Sequence, residues 1–489
     1  IPPAWAKKLT DHDFFYKQGR IPHDPRGGFW WIELGVPWHT IDDAETLRQE
    51  LSAWALGIWD WMKNRDPVMR ETCANYALDW FGQVPGKRES RRVVGRLWVD
   101  ENQLHTNPAW DDEVAFGGWF VDLHTPGGLL APTSEPAAAE QYAFDSEYAA
   151  KSQVGPYGFP LRCLIARDVD NLLLAGRCVS VSHAALGTVR VMGTTAMMGQ
   201  AVGTAAAVAA RRGIGLPGLA DDAAVGGPAV RDVQQRLLRD GAFIPGVANA
   251  DGADQARSAR ASASSSAMLH GLAPDDRGPC AQLRGLPRGG SWDLARESGQ
   301  QFWCDGRLDR VSLCLDNPGD APVRLPLALV RCDGVWDYRR GGAGTVATTT
   351  LVVPPGASRW VAWEVAAADA GPGWLRIETT APAAGVRWRN TAAVLPGCNS
   401  FGRLSPSRWR GLHAGLAFRV EPAQAAFAPE QVLTGVARPG ASTNLWRSDP
   451  GQGLPQWLEL AWDAPRTLSR VELTFPGQLF GEVHREDPF

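Results

Sequence analysis

The sequence predicts an α/β unit followed by an all-β region, and two contrasting stretches carry that prediction. Residues 171–213 read as a short apolar run from Asn171 to Ala175, a tight turn at Gly176-Arg177, a Gly- and polar-rich loop, and a long helix almost free of bulky side chains. From about Arg284 the chain changes to short alternating runs, VSLCLDN, VRLPLALV, TVATTTLVV, SRWVAWEV, GWLRIETT and GLAFRVEP, with turn residues between them. Alternation of apolar and polar residues is the period of a half-buried strand, so this region reads as a β-sandwich. Composition shifts place the boundaries at 1–245 for the α/β part, 246–283 for a linker, 284–424 for one sandwich and 425–489 for a second.

The helix of the first stretch organises the α/β part. Its small residues Gly199, Ala201, Gly203, Ala205, Ala206 and Ala207 would let its backbone pack closely on a neighbour. Thr194 and Thr195 stand where an N-cap belongs, so the free N–H groups and positive dipole end would face the loop. Such a helix start suits an anionic or electron-rich group. The order AGR, SxxHxAxG, RxM, GxxxGxAAA over these residues resembles the C-terminal cofactor segment of FAD-dependent oxidoreductases of the two-dinucleotide-binding-domain group, nearest to a branch found beside carbohydrate-degrading enzymes. The resemblance implies an FAD/NAD(P)-binding, Rossmann-like α/β flavoprotein fold with FAD as cofactor. It implies that the Gly176-Arg177 turn approaches the pyrophosphate and ribityl chain and that the helix start points at the pyrimidine edge of the isoalloxazine. Ser180, His183, Gly187, Arg190, Val191, Met192, Thr194, Thr195 and Gly199 are the further cofactor-binding candidates it implies, His183 facing either the flavin or the substrate. A small-residue helix buried in an α/β core without a ligand is the plain alternative.

A complete flavoprotein of this group opens with strand, GxGxxG, helix and a later acidic residue. No such unit occurs here; Gly341-Gly342-Ala343-Gly344 follows two arginines and precedes a Thr run, which is a hairpin loop. The fold is therefore expected to be incomplete in this chain, with an N-terminal FAD-binding segment or subunit supplying the rest. An oligomer is compatible with that expectation.

Net charge is −4 and the charges are mixed along the sequence, which argues against nucleic acid or an anionic membrane as the main partner. Arg177, His183 and Arg190 interrupt the most apolar region, so no stretch reaches the roughly 20 residues of a membrane span. The eight cysteines form no CxxC pair and no metal spacing, and no metal ligands are assigned. Cys304, Cys314 and Cys332 are close enough in sequence for a disulfide, or they are buried free thiols. Compartment stays open.

Along the chain, residues 1–35 are irregular and aromatic, with Phe29-Trp30-Trp31 before Glu33. Thr40 followed by Asp43 resembles a helix start, and a helix through ETLRQELSAWALGIWDWMKN has Leu47, Leu51, Trp54, Ile58 and Trp61 on one stripe. A second helix is expected over about Pro67 to Trp80. With Trp54, Trp59 and Trp61 this pair would wall a cap over the flavin, although core packing is the commoner fate of such a stripe. Arg88-Glu89-Ser90-Arg91-Arg92 leads to a strand at 93–95; its charges cannot all be buried unpaired, so Arg91 or Arg92 is expected to face the site.

Residues 112–128 are the candidate reaction face. Gly117-Gly118 permits close backbone approach, Trp119 offers a flat surface, and Asp122 and His124 would alternate onto one side of a strand. Removing a hydride from a carbinol carbon needs a group to accept the hydroxyl proton, and a His oriented by a carboxylate does this near neutral pH. His124 is the first candidate base and His183 the second; a buried structural histidine competes with both. Tyr157-Gly158-Phe159-Pro160-Leu161-Arg162 is similar to the family's segment ahead of the last cofactor strand, which implies that Tyr157 lines the site and that Arg162 holds substrate oxygens or the reduced flavin's charge. An ion pair with a carboxylate is the alternative for Arg162. Substrate-binding candidates are thus Trp119, Asp122, Arg91 and Tyr157.

After Gly213, residues 217–228 read as linker, 229–238 as an amphipathic helix, and 248–267 as a flexible crossing or an edge segment. Residues 425–489 are similar to a discoidin-like or galactose-binding jelly roll. The 22 Trp against 6 Tyr suit the C–H faces of sugar rings as well as a core. Two functions follow. One is an FAD-dependent oxidoreductase that oxidises a hydroxyl-bearing small molecule, a sugar, glycoside or polyol, by hydride transfer to flavin N5. The other is a non-catalytic carbohydrate-binding or scaffold subunit with a degenerate flavoprotein fold.

Overall fold

The computed structural model describes residues 2–10, 32–124, 126–131, 152–276, 290–391, 395–406, 408–412 and 415–475, with backbone alone at 366–369. Phe29-Trp30-Trp31, Cys280 and the last residues of the expected jelly roll lie outside the described residues. The chain forms two compact units, Ile1–Val93 with Asp122–Tyr142, and Val94–Val121 with Ala143–Phe489. Neither division falls at 245 or 283, because pairing in space, not composition, draws the line.

In the first unit α1 spans Ala44–Asn64. Its stripe turns Ile58, Trp61 and Met62 inward against Leu9, Met69, Cys73 and Leu129, and Leu47 is buried as well. Each fully buried large side chain contributes on the order of 1.5–3 kcal/mol. Trp61 is thus core, and Trp54 and Trp59 pack against that core partly buried, so no aromatic cap wall forms from the trio. Asp43 holds the N-cap position, but its carboxylate accepts from the His39 amide at 2.8 Å and not from the helix. The expected second helix shrinks to α2, Met69–Thr72. Asp66 caps it, accepting from the Val68 and Met69 amides at 2.8 and 3.3 Å. Lys63 then holds the carbonyls of Cys73, Ala74 and Tyr76 at 3.0, 3.1 and 2.6 Å, which satisfies the freed acceptors and lets the chain run on without a helix.

The second unit opens with α3, Glu101–Thr106, whose Asp100 and Gln103 form a reciprocal capping box. Strands β1 (Glu113–Gly117) and β2 (Tyr157–Pro160) pair antiparallel, Gly117 opposite Tyr157, and both are wholly buried. The sequence 171–175 is not a strand: Leu173 makes one bridge to Ile165, and Leu172 is exposed. Residues 93–95 likewise give one bridge, Gly95 to Ala166, and 122–124 are irregular. The supposed loop before the long helix contains α4, His183–Val189, started by Ser182, whose Oγ accepts from the Ala185 amide at 3.1 Å. The long helix α5 runs Met192–Arg212, two residues longer at its start than expected. Its N-cap is extended Val191, so Thr194 and Thr195 are helical and cap nothing. The expected linker holds α6, Leu216–Ala224, and the amphipathic helix is α7, Pro228–Arg239. Asp222 joins them by accepting from the Ala229 and Val230 amides at 3.2 and 2.8 Å.

α5 lies on β1 and α7 through Thr194, Met198, Ala201, Ala205, Val208 and Ala209. Gly199 and Gly203, expected at a close contact, are exposed, and a Cβ at either would meet nothing within 4 Å. The small residues that do pack are the alanines one turn apart on the opposite side.

The rest of the unit is sheet. Among the described residues an 11-stranded sheet follows the path Trp409–Gly411, Ser400–Arg403, Ser298–Asn317, Gly356–Thr379, Val323–Cys332, Gly344–Val353, with further strands branching from it. The long strands Ser298–Asn317 and Gly356–Thr379 pair antiparallel from Gly299–Glu378 to Asn317–Gly356. The alternating runs read from the sequence supply these strands, and their inward residues, among them Phe302, Leu313, Leu327, Ile377, Trp374, Trp388 and Phe418, form one core. Cys304, Cys314 and Cys332 are free buried thiols there, which removes the disulfide. Within 248–267 the edge-segment alternative is the one seen: Arg260–Ala263 pairs with Leu458–Ala461 in a two-stranded sheet, and just beyond it Leu269–Leu272 pairs with Phe418–Gln424. Among the described residues of 425–475 that one strand, 458–461, is the only one.

Candidate functional site

Two groups of the expected residues come together, one in each unit. In the first unit His124 sits in an irregular segment with its side chain 14% exposed. Its Nδ1 is 2.6 Å from Glu33 Oε1, and its Nε2 is 3.4 Å from the Asp122 carboxylate. The Arg88 guanidinium lies against the ring, Nη1 2.9 Å from Nδ1 and in contact with Nε2, with Glu33 Oε2 3.9 Å away. Burial desolvates the ring and alone would lower its pKa; hydrogen bonds to Asp122 and Glu33, with their charges, outweigh this and raise it above 6.5. Asp122 therefore reaches His124 as expected, though by a bend in the chain and not by strand alternation. Glu33, the closer carboxylate, comes from 91 residues away in an irregular stretch with no periodic signal. Its position after the Phe29-Trp30-Trp31 run was the one available cue.

Arg91 does not join this group. Its side chain is 74% exposed and 3.9 Å from Asp42, so water solvates it. Arg92 pairs with Glu89 three residues back.

In the second unit Arg162 is committed to Asp112. Its backbone N–H, Nε and Nη2 donate to that carboxylate at 2.9, 3.0 and 3.0 Å, and the Asp112 side chain is wholly buried. This is the ion-pair alternative, a bidentate fork that fixes the end of β2. Tyr157 is wholly buried too, so it cannot line a substrate site. Gly117 makes room for its ring: a Cβ there would fall 2.3 Å from the hydroxyl. The close approach foreseen at Gly117 is thus made by this phenol. Tyr157 Oη meets Thr188 Oγ1 at 2.9 Å, and Thr188 donates to the Trp119 carbonyl at 2.5 Å, which ties α4 to the half-buried Trp119. Trp119 also tilts against Phe120, ring centres 4.7 Å apart.

The cofactor residues divide by exposure. Ser180, Gly187 and Thr194 are buried. Ser180 fills the space left by Gly95, where a Cβ would lie 2.9 Å from its own. Arg177, His183, Met192 and Gly199 are exposed, and Gly176, Arg190, Val191 and Thr195 are half-exposed. Gly176 has φ +84, a left-handed conformation that favours glycine, with nothing within 4 Å of a Cβ. No side chain caps the start of α5, whose Met192 is 87% exposed. An uncapped 21-residue helix start beside an open glycine turn suits an electron-rich group. Ser182, missed by the sequence reading, braces this region by donating to Glu101 at 2.7 Å while capping α4.

Residues 5–237 match the family model of the FAD dependent oxidoreductases. No curated protein matches the chain. The match gives this part of the chain a general oxidoreductase role, an α/β flavoprotein fold and FAD as its cofactor.

Proposed function

We propose that this protein is an FAD-dependent oxidoreductase that oxidises a hydroxyl-bearing small molecule, a sugar, glycoside or polyol. The observation that carries the reading is the open glycine turn at Gly176 with the uncapped start of α5, inside the residues that match the family. FAD, when bound, supplies the acceptor for the two electrons of an alcohol oxidation. Gly176, Arg177, Val191 and Met192 would hold it, and the dipole end of α5 would offset negative charge there. His124 is the proposed acceptor of the hydroxyl proton, supported by its carboxylate contacts.

A segment carrying the Gly-rich first half of the dinucleotide site is proposed to cover α5. Support comes from Gly193, Ala196, Gly199, Gly203, Ala206 and Ala207, which are exposed on a helix with no charged residue from Met192 to Ala210. A helix face meant for water carries charges. We further propose that the sheet-rich region is a β-sandwich appended to the catalytic part; the antiparallel order and the single core support this.

The experiment is a substrate panel on the full-length protein carrying flavin, with air excluded. Bleaching of the flavin absorbance by one of the sugars or polyols is the expected result. A protein that holds no flavin, or holds it and is bleached by none of them, overturns the reading in its first or second part.

A further inference from the structure

Among the described residues three charged groups from three separate segments meet at His124, and their hydrogen-bonding capacities do not fit one protonation state of the ring. Glu33 and Asp122 accept only; Arg88 donates only. A neutral imidazole has one N–H and one lone pair, and an imidazolium has two N–H groups. Glu33 is the nearer of the two groups at Nδ1, 2.6 Å against 2.9 Å for Arg88 Nη1, and an N–H there satisfies it in either state. Arg88 Nη1 lies nearer to Nε2, and there it conflicts with Asp122. The Asp122 carboxylate, 3.4 Å away, needs Nε2–H, whereas Arg88 Nη1, in contact with the same nitrogen, needs its lone pair.

We infer that Glu33 is the positioning residue that fixes the Nδ1–H form of His124, and that Arg88 and Asp122 exchange places on Nε2 as the ring loses and gains its proton. The inference rests on the reading of His124 as proton acceptor and names the nitrogen that acts. A proton leaving a substrate hydroxyl goes to Nε2, displaces the Arg88 contact, and is then held toward Asp122; no bond other than O–H and N–H changes. The side chains are 14% exposed at His124 and 22–34% at its three partners, so water neither swamps the contacts nor is shut out as a route for the proton.

The test is the ring titration of His124, followed by nitrogen chemical shifts in the full-length protein, in single variants. Glu33→Gln is expected to lower the titration midpoint by about one pH unit and to lose the bias toward Nδ1–H; Asp122→Asn is expected to lower it less. Arg88→Met is expected to raise it, because both a like charge and the N–H donor that occupies the ring's lone pair are removed. A Glu33→Gln midpoint equal to that of the parent, or an Arg88→Met midpoint below it, overturns the inference. Arg88→Lys, which keeps the charge and loses the flat fork, is the milder variant should Arg88→Met not fold, and its midpoint is expected near the parent's; a rise as large as loss of the charge would give overturns the competition. If His124→Gln oxidises substrate at the parent rate, the proton-acceptor reading fails while these titrations stand on their own.

Discussion

His124 has to be unprotonated to accept a proton, and its surroundings favour the protonated form. Substrate oxidation is therefore expected to fall as pH drops through a value above 6.5, the acid limb following the ring titration. Replacing it by Gln is expected to cost about 10²–10⁴ in kcat/KM, measured with the cofactor in place. The same shift acts on stability with a defined sign. A raised folded pKa contributes stability that is complete below 6.5 and lost as pH rises through the folded value. The Asp112–Arg162 pair is a residue-scale test of a different kind. Asp112→Ala leaves a guanidinium whose side chain is 20% exposed without its carboxylate, and a loss of about 3–5 kcal/mol in denaturant unfolding is expected. Unchanged stability would mean that Arg162 finds another anion.

At the scale of elements, α5 shows how one composition serves two sides. Its alanines at 201, 205 and 209 pack inward, and its glycines at 199 and 203 face outward with open space around them. Gly→Ala in a helix interior gains roughly 0.5–1 kcal/mol. With the proposed covering segment absent, Gly199→Ala and Gly203→Ala are thus expected to raise the thermal midpoint slightly, since no neighbour within this chain is struck. Gly203→Trp separates the roles: loss of flavin with an unchanged fold is expected if a segment covers this face, and full flavin retention would sink that part of the proposal. Period and composition located α5, and its start was legible to within two residues. The error came from Val191, whose extended backbone does the capping position's work without a polar side chain. Helix α4 was hidden because a Gly- and Ser-containing run looks like a loop until Ser182 is seen capping it.

At the scale of the whole chain, the sheet-rich part of the second unit is held by buried ion pairs as well as by its core. Glu297 accepts from Arg340 and Arg403, and Asp337 from Arg339. Burial alone would raise both carboxyl pKa values; the arginine contacts and hydrogen bonds lower them below 4.5 and 3.8. A depressed carboxylate contributes stability present above its unfolded pKa and lost as pH falls through the folded one. Acid unfolding of this part is expected below about pH 4, and Glu297→Gln should move its onset upward, read by circular dichroism. An onset unmoved by that change would assign acid sensitivity to other groups.

The sequence by itself determined what local periodicity and composition can carry: the strand runs of the β region, α1 and α7, the small-residue helix, and FAD as cofactor through its resemblance. His124 with Asp122 was also within reach, because two residues of separation suffice for them to meet. Only the tertiary structure decided that Glu33 and not Asp122 is the nearer carboxylate, that Arg162 is spent on Asp112, that Tyr157 and Ser180 are buried, and which face of α5 is open. Each of these depends on contacts between residues tens of positions apart, and such contacts leave no spacing in the chain to read.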